Sequence, residues 1–160
     1  RHPAEQSDFF RLARLYADGG LYVDADDRRV GLIHKVLDGE SRVILCSEPH
    51  RAIANNFMAA PPRHPLFKLA ATLCKDAMLA RDNENIWNKT GPGLITRATA
   101  RYLVACEQEE RAADLRIYTV QELSRIAQFH VRIAYKDSPT YWKASSPRTA
   151  SPRRAAVSKT

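Results

Sequence analysis

The fold of this chain is decided by residues 7–27, SDFFRLARLYADGGLYVDADD. The first half predicts a helix that Ser7 caps and that ends at the double glycine, Gly19 and Gly20. Its apolar residues recur at helical spacing: Phe9, Leu12, Ala13 and Tyr16. The second half alternates with period two, which predicts a strand. A helix that leads directly into a strand indicates an α/β unit.

Three carboxylates end this strand within four residues, at Asp24, Asp26 and Asp27. Like charges this close raise one another's pKa, so a cation, basic groups or solvent must offset them. The period of two puts Tyr22, Asp24 and Asp26 on one face of the strand. Asp27 falls on the other face and is expected in solvent. An acidic pair alone is a weak signal, since such pairs are common in solvated turns.

Composition predicts one globular domain. The chain has 160 residues, 44% hydrophobic content and a net charge of +7. Residues 143–160 hold five basic residues and no acid, and subtracting these five from +7 leaves +2 for residues 1–142. We therefore predict a folded domain over 1–142 and a disordered basic Ser/Pro/Arg tail over 143–160. The nearly neutral domain argues against specific nucleic-acid binding.

Beyond Asp27 the patterns predict strands and helices in alternation, typical of an α/β domain. The predicted strands are residues 30–37, 41–48, 52–62 and 115–120, with a turn at 38–40 between the first two. The predicted helices are 64–80, with Pro65 at an early position, and 94–110.

Cysteine spacing and hydropathy bear on the compartment. Cys46, Cys74 and Cys106 have no metal-binding spacing and are expected to be reduced and buried. No apolar run reaches the roughly 18 residues of a membrane span, and the first residues do not resemble a signal peptide. The reduced cysteines and the Ala/Arg-rich composition favour a bacterial cytoplasm, with a position peripheral to the membrane as an option, or a Golgi lumen if the protein is eukaryotic.

The combined pattern S-D-x-x-R, a spacer and G-G-x-Y-x-D-x-D resembles the DXD-containing sugar-transfer region of glycosyltransferase family 32. That family includes yeast Golgi mannosyltransferases and bacterial capsular polysaccharide enzymes, and the pattern is also similar to the glucosylating domains of large clostridial toxins. The matching residues are Ser7, Asp8, Arg11, Gly19, Gly20, Tyr22, Asp24 and Asp26. The resemblance implies a GT-A-like α/β fold. Such enzymes grip the nucleotide base with elements upstream of the motif, so an incomplete N-terminal part is expected.

The resemblance implies a metal-dependent hexosyltransferase. It would move a hexose, with retention of configuration, from a UDP- or GDP-sugar to a hydroxyl of a glycan or other acceptor. The metal set would be Asp24, Asp26 and His130: Asp26 would ligate Mn²⁺ or Mg²⁺ directly, Asp24 would contact the donor and a metal-bound water, and His130 would be an additional ligand. A hard divalent cation suits carboxylate oxygens and offsets diphosphate charge.

The same resemblance implies the donor site. Asp8 and Arg11 would hold sugar hydroxyls, Tyr22 would form a wall, Asn56 would face the donor and Trp142 would cover it. Arg11 is expected to act in catalysis together with Asp24 and Asp26. The loop at residues 91–93, within T-G-P-G, would let a helix N-terminus approach a phosphate or acceptor. A helix-starting turn explains these glycines equally well, and a core position explains His130 equally well.

Two other classes remain open. A degenerate module that binds glycans or partners would keep the motif by descent without catalysis. A phosphohydrolase of the haloacid dehalogenase type also follows an apolar strand with DxD and uses the first Asp as nucleophile. It expects a Thr or Val soon after the second Asp, whereas Asp27 and Arg28 follow here.

Overall fold

The computed structural model describes residues 2–37, 42–80 and 84–134. Its helices are α1 (Pro3–Asp18), α2 (His34–Leu37), α3 (Pro65–Ala80), α4 (Ile86–Lys89), α5 (Pro92–Gln108) and α6 (Val120–Leu123). Its strands are β1 (Gly20–Val23), β2 (Arg28–Arg29), β3 (Val43–Ser47), β4 (Ile53–Ala60), β5 (Leu115–Thr119) and β6 (Ala127–Gln128). The predicted turn at 38–40, Trp142 and the predicted tail at 143–160 lie outside the described residues.

A four-stranded sheet in the order β1-β4-β3-β5 forms the centre of the domain. β4 pairs antiparallel with both β1 and β3, whereas β3 and β5 are parallel. The parallel pair needs a long crossover, which includes α3 and α5. β2 and β6 form a separate antiparallel ribbon. This mixed sheet with helices confirms the predicted α/β class.

The sheet separates two cores. Strand alternation in β4 sends Met58 towards α1, α3 and α5 and sends Phe57 to the opposite face, and both side chains are fully buried. On the first face, Leu12 and Phe67 join Met58 in the larger core. On the second face, Leu123 of α6 packs with Phe57 in a smaller core. None of the described helices is both long and apolar enough to cross a membrane.

Helices α1 and α3 both begin with a His-Pro pair. The Nδ1 atom of His2 accepts a hydrogen bond from the amide of Ala4, at 3.2 Å. His64 uses its Nδ1 atom in the same way, with the amide of Leu66 as donor at 3.2 Å. Each following proline takes the first helical position, where no amide hydrogen is needed. The prediction that Ser7 caps α1 is therefore wrong, because the helix begins about one turn earlier.

The predicted strand at residues 30–37 is also wrong. The amides of Val30 and Gly31 both donate to the carbonyl of Ile126, at 2.9 and 3.2 Å, which ties the chain to the segment before β6. The chain then turns into α2, whose Val36 and Leu37 pack on the smaller core. A short apolar run fits either a strand or a buried helical turn, and here the helical turn forms.

The three cysteines are free and buried, as predicted. Burial raises the pKa of Cys46 and of Cys74 to about 12. Both therefore remain neutral thiols at physiological pH and act as small apolar side chains.

Candidate functional site

A glycine at the end of α1 brings that helix against β1. Gly19 has a positive φ of 68°, and a Cβ atom there would lie 2.6 Å from the backbone nitrogen of Pro62. A residue with a side chain could not fit so close to the backbone after β4. The tight reversal that results places α1 beside the strand that carries the acidic motif.

The acidic motif lies in a turn rather than along the strand. β1 ends at Val23, the amide of Asp24 donates to the carbonyl of Asn56 at 3.0 Å, and the amide of Asp27 donates to the carbonyl of Asp24 at 3.0 Å. The turn ends the alternation of the strand, so Asp27 folds back and is half-buried. The expectation of a solvated Asp27 is therefore wrong.

Arg11 joins the helix to this turn. Its Nη1 atom donates to Asp24 Oδ1 at 3.1 Å and to the carbonyl of Asn55 at 2.7 Å. Its Nη2 atom lies 3.3 Å from Asp8 Oδ1, and its guanidinium stacks 4.5 Å above the ring of Tyr22. Since the side chain is buried, these contacts fix a charged fork at the floor of the site.

Asp8 faces the protein interior. Its Oδ1 accepts a hydrogen bond from Asn55 Nδ2 at 2.9 Å, and its Oδ2 accepts one from the hydroxyl of Thr90 at 2.8 Å. Burial raises the pKa of Asp8, although the charge of Arg11 and the bond from Thr90 oppose this rise. Asp8 thus links the S-D-x-x-R segment to the T-G-P-G segment. The sequence had suggested no role for Asn55 or for Thr90.

Tyr22 completes the surroundings of Asp24. Its hydroxyl donates to Asp24 Oδ1 at 2.8 Å, so this oxygen accepts from both Tyr22 and Arg11. Burial raises the pKa of Tyr22, the charge of Arg11 lowers it and the charge of Asp24 raises it, with a net increase. The phenol therefore stays a neutral donor. The Asp24 side chain keeps 27% of its surface exposed and reaches the cleft.

Two adjacent asparagines on β4 serve opposite sides of the site. Successive side chains of a strand point to opposite faces, and Asn55 bonds Asp8 while Asn56 Nδ2 donates to Asp27 Oδ2 at 2.9 Å. The amide of His130 donates to Asp27 Oδ1 at 3.0 Å. Burial raises the pKa of Asp27, and the bond from His130 counteracts part of this rise.

Asp26, Asp27 and His130 lie close enough together to hold a metal ion. One ligand atom from each lies within 4.8 Å of the others. His130 Nδ1 is 3.7 Å from Asp26 Oδ2, and the amide of Val131 donates to the carbonyl of Asp26 at 2.8 Å. The predicted set was Asp24, Asp26 and His130. The structure brings two of these together with Asp27, whereas Asp24 turns towards Arg11.

These groups lie along a cleft of about 640 Å³. Its lining includes Asp8, Arg11, Tyr22, Asp24, Asp26, Glu48, Asn55, Asn56, Trp87 and His130. A second, more apolar cleft of about 770 Å³ adjoins it. Glu48, Asn56 and His130 line both clefts. All the predicted site residues except Trp142, which lies outside the described residues, therefore line one cleft.

The glycines of T-G-P-G make room for packing. A Cβ atom on Gly93 would lie 2.8 Å from Asn88 Oδ1 and 3.0 Å from the ring of Trp87, while one on Gly91 would lie 3.1 Å from the Trp87 carbonyl oxygen. The two glycines thus let α4 sit directly on the start of α5. Trp87 and Glu48 were not predicted as site residues.

Comparison with known protein families first indicates the class of protein. Residues 1–43 match the model of a family described as a glycosyltransferase sugar-binding region containing a DXD motif. This segment includes Asp8, Arg11, Tyr22 and the acidic turn, and the match supports the predicted glycosyltransferase class. Membership of family 32 stays a prediction.

A particular structure then supports the fold. The chain is similar to the solved PaToxG glycosyltransferase, with 23% sequence identity and a TM-score of 0.52. The similarity covers 66% of this chain and 38% of that chain, so this chain spans well under half of the solved one. No curated protein matches the chain. The α/β fold predicted from the sequence is thus also the fold of a glycosyltransferase.

Proposed function

We propose that this chain carries the donor and metal site of a glycosyltransferase that moves a hexose from a UDP- or GDP-sugar to an acceptor hydroxyl, with retention of configuration. The observation that carries this proposal is the Arg11 network. One buried guanidinium joins Asp8, Asp24 and Tyr22, so the two halves of the matched motif meet in one cleft.

In this proposal, Asp24 accepts a hydrogen bond from a hydroxyl of the donor sugar, because its carboxylate is partly exposed. Arg11 positions Asp24, since the N–H groups of its buried guanidinium already donate to acceptors within the protein. Tyr22 orients Asp24 through its hydroxyl. Asp8 acts as a positioning residue, because both of its oxygens already accept hydrogen bonds within the protein.

Asp26, Asp27 and His130 would hold Mn²⁺ or Mg²⁺. Two carboxylates and an imidazole within 4.8 Å match the oxygen and nitrogen ligands of Mn²⁺, and Mg²⁺ accepts such carboxylates while keeping water ligands. Such an ion supplies positive charge that stabilises the departing nucleoside diphosphate. Asn56 keeps Asp27 directed into the cluster. A bound cation also offsets the repulsion between neighbouring acids in the motif.

The phosphohydrolase alternative is less favoured. It needs Asp24 as a nucleophile, yet Asp24 Oδ1 accepts hydrogen bonds from both Arg11 and Tyr22. These bonds stabilise the carboxylate and lower its reactivity. A degenerate binding module would keep the same contacts, so only a donor-dependent measurement separates it from an enzyme.

The test is a thermal-shift and nucleotide-release series with UDP- and GDP-hexoses, with and without Mn²⁺. We expect metal-dependent stabilisation and slow release of the nucleotide, both lost in Asp26→Asn. The matched control is Asp18→Asn, which removes an exposed carboxylate from the end of α1. Equal responses in the two variants, or no response to any donor, would contradict the proposal. Binding without release would favour the degenerate module.

A further inference from the structure

A large aromatic side chain forms one wall of the cleft. Trp87 lies on α4 and leaves 44% of its surface exposed beside the polar groups of the site. Its ring lies 6.0 Å from the ring of His50, centroid to centroid and tilted by 44°. His50 Nε2 in turn lies 2.7 Å from Glu48 Oε2. Indole, imidazole and carboxylate thus form a continuous row in which Trp87 and Glu48 line the cleft and His50 connects them.

The local backbone holds this row in place. Asn85 caps α4 by accepting a hydrogen bond from the amide of Asn88 at 2.9 Å. Gly91 and Gly93 give Trp87 close packing, as described above. Glu48 starts the hairpin turn between β3 and β4, where its carbonyl accepts from the amide of Arg51 at 2.8 Å. Two separate elements therefore present the row.

The chemistry of the row suits a sugar ring. One face of a pyranose carries C–H groups that pack on an indole, whose electron-rich face attracts their positive edges. Hydroxyls around the ring edge need acceptors and donors, which a carboxylate and an imidazole supply. An isolated exposed aromatic needs no functional explanation, but here it borders a cleft and lies in a row with Glu48 and His50.

We propose that Trp87, Glu48 and His50 form a saccharide subsite, distinct from the network of Arg11 and Asp24, that binds a pyranose ring of a glycan acceptor. The assignment of this sugar as the acceptor rests on the proposed function, whereas saccharide binding by the row does not depend on it. Glu48 also lines the adjoining 770 Å³ cleft, which gives space for further rings beyond the donor sugar. A glycan bound at the row would therefore have room to extend past its first ring.

The test uses the fluorescence of Trp87. The chain has two tryptophans, so Trp142→Phe leaves Trp87 as the single indole. The probes are methyl glycosides of glucose, galactose, mannose and N-acetylglucosamine, with sorbitol as a polyol that has no ring face. We expect at least one glycoside to change the emission saturably and sorbitol to leave it unchanged. Emission that no glycoside changes, or that sorbitol changes equally, overturns the subsite.

Variants assign the polar contacts. Glu48→Gln should weaken glycoside binding about two- to tenfold, the range expected for the loss of one hydrogen bond of about 0.5–1.5 kcal/mol. Glu107→Gln makes the same chemical change at an exposed position of α5 that lines neither cleft, and it should leave binding unchanged. Equal effects of the two variants would remove Glu48 from the subsite.

Further ligands separate this inference from the proposed function. If a UDP-sugar competes with the glycoside, the row belongs to the donor and the acceptor assignment is wrong. If N-acetyltyrosinamide changes the emission and no glycoside does, a peptide acceptor replaces the glycan. If glycosides bind while no nucleotide sugar stabilises the unsubstituted chain, the proposed transferase fails and the saccharide subsite stands.

Discussion

Arg11 is the residue on which the polar groups of the cleft converge. Arg11→Lys keeps the positive charge but loses the planar fork that reaches Asp24, Asp8 and the carbonyl of Asn55 together. A displaced Asp24 no longer accepts the hydrogen bond from the donor hydroxyl, and such a charge-assisted bond is worth about 1.5–3 kcal/mol, so we expect donor affinity to fall at least about tenfold. Titration calorimetry with a UDP- or GDP-hexose measures this change.

The control for this substitution lies one turn further along the same helix. Arg14 pairs with Asp18 at 2.8 Å, and both side chains are largely exposed. Exposed pairs contribute at most about 1 kcal/mol, so Arg14→Lys should leave donor affinity unchanged. If Arg11→Lys behaves like Arg14→Lys, the buried network does not position the donor.

The sequence predicted most of the polar residues that line the cleft, but it placed the carboxylate of Asp27 wrongly in solvent. The alternation from Leu21 onwards describes a strand, and the strand ends at Val23. Beyond this point the turn, rather than the pleat, sets the direction of each side chain. Asp27 therefore points back towards Asn56. The spacing of the motif could not predict that Asn56 binds Asp27, because the two residues lie far apart in the sequence.

At the scale of elements, the reversal between α1 and β1 depends on two glycines in different ways. Gly19 and Gly20 both have positive φ, of 68° and 95°. A Cβ atom on Gly19 would meet the backbone of Pro62 and Ala60, whereas one on Gly20 would meet nothing within 4 Å. We expect Gly19→Ala to lower the free energy of unfolding by about 3 kcal/mol or more, from strain and overpacking together.

Gly20→Ala is the matched comparison for that substitution. It adds backbone strain alone, of about 1–3 kcal/mol, so it should be the milder of the two. Urea denaturation of both variants measures the difference. A smaller loss for Gly19→Ala than for Gly20→Ala would contradict the close approach of Gly19 to the chain after β4.

Helices and strands were predictable where the periodic pattern of apolar residues continued over most of the element. The helix from Pro65 and the strands within 41–48 and 52–62 form as predicted, since each places a continuous apolar face in a core. The start of α1 was not predictable in this way. His2 caps the helix with a ring nitrogen, whereas the capping rule anticipates a side-chain oxygen. The secondary structure of a short apolar segment such as 30–37 depends on the core against which it packs, and the sequence does not specify that core.

At the scale of the whole molecule, a polar cluster whose side chains line neither cleft joins two helices to the sheet. Asp114 accepts a hydrogen bond from the hydroxyl of Tyr102 on α5, and its Oδ1 lies 3.0 Å from Nε2 of His64, which caps α3. The carbonyl of Asp114 accepts from the amide of Val43 on β3 at 2.9 Å. No sequence pattern indicates this cluster, because its members come from four separate segments.

The pH dependence of folding tests this cluster. Burial raises the pKa of Asp114, but the hydrogen bond from Tyr102 and the nearby His64 ring outweigh burial, so its pKa lies below the ordinary value. An acid with a lowered pKa stabilises the fold above its unfolded-state pKa, and this stability is lost as the pH falls through the folded-state pKa. We therefore expect Asp114→Asn to lower the Tm at about pH 7, with a difference from the parent chain that shrinks towards about pH 3.

Circular dichroism melts across this pH range measure the two Tm profiles. Asp76→Asn is the control, because Asp76 is an exposed carboxylate on α3 whose oxygen lies 3.7 Å from the Lys75 ammonium. Its Tm should follow that of the parent chain at every pH. A Tm difference for Asp114→Asn that stays constant or grows as the pH falls from about 5 to about 3 would show that the ionised carboxylate does not hold the two helices to the sheet.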